Sequence, residues 1–185
     1  MLVGAQPLQR SRRGRGEAGQ WPDPPSTQTM STTTDCTPPP RSDWSTLIPH
    51  QGAMCLLDEV VEWDGGAIHA RSESHRDPAN PLRSDDRLRA LHLCEYGAQA
   101  MAVHGGLVAR ETGGRAEPGF LVSLRAVELA VERVDDLPGS IDVHAERLLG
   151  GEGSWQYAFR VEHAGRLLAS GRAAVIAAQF PADAG

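Results

Sequence analysis

The chain has 185 residues, 18 basic against 24 acidic side chains and a formal charge of −6. All 18 basic residues are arginine, which excludes Schiff-base lysine chemistry and the phosphate-binding lysine of a P-loop. The first 43 residues hold five Arg against four acids, so the negative charge lies in the rest of the chain, an unsuitable surface for nucleic acid.

Cys36, Cys55 and Cys94 show no C-x-x-C or other ligand spacing, so neither a disulfide framework nor a metal site is expected. No run of 18 apolar residues is present, and no membrane span is expected. Arg10, Arg12, Arg13 and Arg15 stand without an apolar stretch to make a secretory signal. The expected compartment is the cytoplasm.

Residues 1–43 are rich in Pro, Ser, Thr and Gly, too rich for a packed element, and are expected to be a disordered tail. Met30 offers a second start within it. Residues 44–178 are expected to fold as one domain and 179–185 to form a short C-terminal tail. Trp44 to Pro49 is a short lead-in. Met54–Trp63 has strand character, Asp64-Gly65-Gly66 is a turn signal and Ala67–Ser74 is a second strand, so the three read as a hairpin. His75–Asp86, with Pro78 and Pro81, reads as a loop.

A long helix is expected from Arg87 to Arg110, capped by Ser84, Asp85 or Asp86 and stopped by Gly113-Gly114. Gly97, Ala98, Ala100, Ala102, Gly105 and Gly106 put small residues on several of its faces, so other elements should wrap it closely all round.

Strands follow at Gly119–Arg133, Ser140–Leu149, Ser154–Glu162 and Arg166–Ala177, with turns at 135–139, 150–153 and 163–165. Trp155, Tyr157, Phe159 and Val161 alternate with polar or small residues and give the clearest strand signal. Short turns suggest an antiparallel meander. Two strands, one buried helix and four more strands suggest an α+β hotdog fold, a long central helix wrapped by a curved antiparallel sheet. The order is not a βαβ alternation, which argues against a dinucleotide fold.

Three segments resemble the 3-hydroxyacyl-carrier-protein dehydratases of the FabA/FabZ type. LIPHQGAMCLLDEV is similar to their L-P-H-R-x-P-x-L-L-x-D-x-V opening, CEYGAQAMA to their E-A-x-A-Q helix, and GFLVSLRAVELAVERVDDLPGSI to their long strand and Pro-Gly turn. Within that group the resemblance is to the dehydratase-like proteins of aryl-polyene-type clusters. It implies a thioester substrate on an acyl-carrier protein or coenzyme A, no cofactor, and a homodimer, or a heterodimer with another hotdog protein, joined edge to edge.

The resemblance makes Glu95 the helix carboxylate, and its Ala/Gly-rich surroundings favour a protonated donor. Gln99, one turn on, is expected to hydrogen-bond it. The family's G-H-F-P loop histidine has no counterpart: the segment reads DPANPLRSDDRLRALHLCE, with Pro81 near that place. His50, in the P-H motif, is therefore the first candidate for the base, and His75 and His92 are lesser ones. His104 and Cys94 are expected to pack. Two rival readings follow: a hotdog thioesterase in which Glu95 activates water, and a non-catalytic subunit that pairs with a competent hotdog partner.

Overall fold

A computed structural model describes residues 38–114, 119–151 and 153–178. These residues belong to one compact unit. Most of the expected tail, and the C-terminal segment 179–185, lie outside them. Residues 41–43, assigned to the tail from composition, form most of the short helix α1 (Arg41–Trp44). It is tied down: the Arg41 guanidinium donates to Asp58 Oδ1 at 3.2 Å and to the Cys55 carbonyl at 3.1 Å, and Arg110 donates to the Asp43 carbonyl at 3.0 Å. Trp44 is fully buried beneath.

Among the described residues six strands form one antiparallel sheet: β1 (Glu59–Trp63), β2 (Ala67–Ser72), β3 (Gly119–Leu129), β4 (Ile141–Gly151), β5 (Ser154–His163) and β6 (Arg166–Ala177). Their spatial order is β1-β2-β4-β5-β6-β3. The long helix α2 (Leu93–Glu111) packs against β2, β4, β5 and β6, which is the expected hotdog layout.

The simple meander holds only for β4-β5-β6. After α2 the chain lays down β3 beside β6 at the far edge, and residues 130–134 then carry it back across the end of the helix. There Ala90 N–H donates to the Glu132 carbonyl and Val134 N–H to the Leu88 carbonyl, both at 3.0 Å. The same bonds explain why the helix begins later than Arg87. Residues 88–90 spend their backbone groups on 132–134, and α2 starts after a 3₁₀ turn at Ala90–His92. Asp85 and Asp86 have positive φ and belong to a turn, not to a helix cap.

The other end of α2 follows the sequence signal. Gly113 has φ +74°, Gly114 N–H reaches the Ala109 carbonyl at 2.8 Å, and Gly113 N–H reaches Arg110 at 3.0 Å, the paired bonds of a Schellman stop.

Two glycines set how closely the helix is held. A Cβ on Gly97 would sit 2.7 Å from the Phe159 ring of β5, and one on Gly106 would sit 2.7 Å from Leu47 Cβ. The wrapping is not complete, however. Glu95, Ala98, Ala102, Gly105 and Ala109, spaced three or four apart, are only half-buried, and a Cβ on Gly105 would meet nothing within 4 Å. One stripe of the helix is therefore left only partly covered by the described residues.

Gly97→Ala should lower stability by about 1–3 kcal/mol through overpacking. The double change Gly97→Ala/Phe159→Leu should lose less than the sum of its parts, as read from urea unfolding midpoints. Simple additivity would mean that the ring is not what excludes the methyl.

Candidate active site

Glu95 lies in the first turn of α2, at the upper end of the partly covered stripe. His50 comes from the loop between the lead-in helix and β1, just before Gly52, whose φ of +60° suits a residue without a Cβ. Its Nε2 stands 3.0 Å from Glu95 Oε1, and both side chains are about one-third exposed (30% and 31%). The carboxylate is thus less desolvated than its small-residue surroundings suggest.

Gln99 is fully buried one turn below. Its Oε1 accepts from Leu56 N–H at 2.9 Å, and its Nε2 donates to the Met54 carbonyl at 2.8 Å and to Glu95 Oε1 at 3.0 Å. These bonds help explain why residues 54–57, expected as part of the first strand, are not in the ladder: the Met54 carbonyl and the Leu56 N–H are committed to Gln99 on the helix, and the chain rejoins β2 only where Asp58 N–H donates to the Arg71 carbonyl at 2.9 Å.

A second set of bonds, not foreseen from sequence, holds the same segment from behind. The Leu56 carbonyl accepts from Ser72 Oγ at 2.6 Å and Ser74 Oγ at 2.8 Å. Ser74 Oγ meets Tyr96 OH at 2.9 Å, and Asn80 Nδ2 donates to that hydroxyl at 3.0 Å and to the Ser74 carbonyl at 2.8 Å. Tyr96 beside Glu95, with Asn80 between two prolines, is the only sequence sign of this network.

His50, Glu95 and Gln99 are therefore brought together. His75 is not among them: it is fully buried, and its Nε2 faces the Leu137 carbonyl at 3.3 Å. His92 stands at the N-cap position of α2 without a side-chain capping bond, and it makes no hydrogen bond to Glu95 or His50. His104 packs as expected. Its Nε2 can only donate to the Asp64 carbonyl, at 2.8 Å, so its Nδ1 accepts from Tyr157 OH, also at 2.8 Å. Burial pushes the Tyr157 phenol up to about 12. Cys94 is buried in the core, and burial raises its thiol, as suits a packing residue.

Residues 42–184 match the model of the ApeP-like family, described as ApeP dehydratase. The chain belongs to the ApeP-like dehydratase family. Among solved structures, this ApeP-like chain is similar to the dehydratase heterocomplex ApeI:P from Xenorhabdus doucetiae. The identity is 22% and the TM-score 0.65, over 75% of this chain and 91% of that one. It is also similar to a hypothetical thioesterase with coenzyme A from Streptococcus pneumoniae TIGR4, at 10% identity and TM-score 0.53, over 77% and 99% of the two chains. At these identities the likenesses establish the hotdog fold. No curated protein matches the chain. Among the described residues no helix is long and apolar enough to cross a membrane.

Two buried histidines, His75 and His104, and the partly buried His144 are expected to make the stability of this ApeP-like chain pH-dependent. Burial lowers His75 and His104 below the ordinary histidine value. It lowers His144 to about 4, with Arg160 and His69 adding to the effect, His69 being stacked on it at 4.2 Å between ring centres. Each binds a proton more readily unfolded than folded, so stability is complete above about pH 6.5 and falls as pH drops below it, by at most about 1.4 kcal/mol per pH unit per group. Urea midpoints should decline between pH 7 and pH 5, and His144→Asn should decline less steeply. A flat profile over that range would contradict the assignment.

Proposed function

We propose that the chain is a dehydratase-like protein acting on a 3-hydroxyacyl thioester, carried on an acyl-carrier protein, in cytoplasmic fatty-acid or polyene-type biosynthesis. The observation that carries this reading is the state of the Glu95 carboxylate. One oxygen is held by two partners, His50 and Gln99, and the other has no hydrogen bond from any described residue. The pair sits on the partly covered stripe of the central helix. Dehydration needs a group that accepts the C2 proton and a group that protonates the departing C3 hydroxyl. A positioned carboxyl with a free oxygen suits both tasks, and His50 is its partner.

The same reading includes a second hotdog chain. Strand β3 is an edge strand of eleven residues with Phe120 (60%), Leu121, Val122, Leu124 and Leu129 all exposed. A long apolar edge is one that a soluble sheet ordinarily protects or pairs. The solved neighbour described as a dehydratase heterocomplex supports a different hotdog chain as the occupant. One observation favours a narrower role, that of a subunit inactive alone. The segment 77–89 contains no histidine, and its end is held where the Leu88 carbonyl accepts from Val134 N–H and the following Ala90 donates to the Glu132 carbonyl.

Two experiments test these points. Purified protein, alone and with a candidate hotdog partner, is given a 3-hydroxyacyl thioester and a saturated acyl thioester. Water loss from the first with no thiol release from the second is expected. Glu95→Gln should lower kcat by about 100- to 10,000-fold with the fold kept. Full activity in that variant would remove Glu95 from the chemistry, thiol release would favour a thioesterase, and activity only with the partner would favour the subunit role. Separately, Phe120→Asp/Val122→Asp should shift the sedimenting species to a single chain. An unchanged assembly would show that pairing does not use β3.

A further inference from the structure

We infer that His50 is a fixed hydrogen-bond donor that positions Glu95, not the general base, and that the atom exchanging a proton with the substrate is Glu95 Oε2. The inference rests on the dehydratase reading for its substrate, but its geometry does not.

The direction of every bond around Glu95 Oε1 can be worked out from groups with no choice. Leu56 N–H can only donate, so the Gln99 atom facing it is the carbonyl oxygen. The Met54 carbonyl can only accept, so the atom facing it is the amide nitrogen. The remaining amide hydrogen of Gln99 then points at Glu95 Oε1, 3.0 Å away. An oxygen that accepts from a buried amide is the unprotonated oxygen of its carboxyl group, since a carboxylic-acid hydroxyl is the poorer acceptor.

Oε1 also faces His50 Nε2 at 3.0 Å. With Oε1 unprotonated, that contact is a hydrogen bond only if Nε2 carries the hydrogen. The other ring nitrogen leads to the same tautomer independently. His50 Nδ1 is buried and has no hydrogen-bond partner among the described residues. A hydrogen placed on it would be an orphaned buried donor, the costliest kind of unpaired group. His50 is therefore neutral with its hydrogen on Nε2. Its only basic nitrogen, Nδ1, is enclosed, so it cannot reach a substrate carbon.

Proton transfer then falls to Oε2. The C2–H proton of the thioester passes to Oε2 as its bonding pair moves into the thioester enolate. The enolate pair forms the C2–C3 double bond as the C3–O bond breaks. The carboxyl returns the proton to the departing oxygen, which leaves as water. The carboxylate is regenerated, and no oxidant or further reactant is consumed.

Three measurements on the full-length protein test the assignment, with the hotdog partner added where activity requires it. The ¹⁵N and ¹H correlations of the His50 ring at pH 7 should show the Nε2–H tautomer. This reading needs no substrate, so it survives if the reaction class is wrong. His50→Gln supplies an amide N–H near the place of Nε2 but no titratable nitrogen; it should lose less than about tenfold in kcat and keep the shape of the pH–rate profile. His50→Leu, which cannot donate, should lose distinctly more. An Nδ1–H tautomer or an imidazolium at pH 7 would overturn the proposal. So would a loss of about 100-fold or more in His50→Gln with its fold intact, the size expected for removing a general base.

Discussion

The amide of Gln99 joins the central helix to the segment that leads into β1. It is buried with no route to water, so its acceptor and both donor hydrogens must be used inside the protein. Two of those bonds go to the backbone of residues 54 and 56, and the third to Glu95. A single side chain therefore fixes the height of α2 against the segment that leads into β1, and the orientation of the carboxylate one turn above. Leaving any of these groups unpaired would cost about 1–3 kcal/mol. The structure thus has an energetic reason to keep Glu95 in one pose, whatever chemistry it performs.

The Leu56 peptide group is the other end of this join. Its N–H is taken by Gln99 and its carbonyl by Ser72 and Ser74. Ser72 ends β2 and Ser74 opens the following turn, so the sheet, the lead-in segment and the helix meet at one peptide group. This accounts for the break between the 3₁₀ turn at Gly52–Met54 and β1. A regular strand over 54–57 would spend these groups on a neighbouring strand and release the helix.

Local patterns reported the parts of the fold that local forces decide. Alternation along Trp155, Tyr157, Phe159 and Val161 located β5 closely, because one of its faces lies on the core. The Gly113-Gly114 stop was legible because a left-handed residue is needed there. The start of α2 was not, since the bonds that hold 88–90 extended come from residues more than forty positions later. The place of β3 beside β6 was hidden for the same reason. At the site, the resemblance named His50, Glu95 and Gln99, but nothing in the spacing of His50 from Glu95 gives a 3.0 Å contact. The Ser72–Ser74–Tyr96–Asn80 network left only a faint sign, Tyr96 beside Glu95 and Asn80 between two prolines, because each member is ordinary in a turn or helix and only their convergence is unusual.

Glu95 and Tyr96 are consecutive on α2 and point about 100° apart. One faces the partly covered stripe and the other is fully buried. Both are held by hydrogen bonds that admit little rotation, Glu95 from Gln99 and Tyr96 from Ser74 and Asn80. Turning the helix to improve one set would stretch the other. Two polar anchors on different faces of one turn therefore set the rotation of the helix more sharply than apolar packing on small residues can, because dispersion contacts change gradually with angle and hydrogen bonds weaken steeply below about 120°. A stripe of Ala and Gly gives close approach but poor angular definition. The polar network supplies that definition where Glu95 needs it.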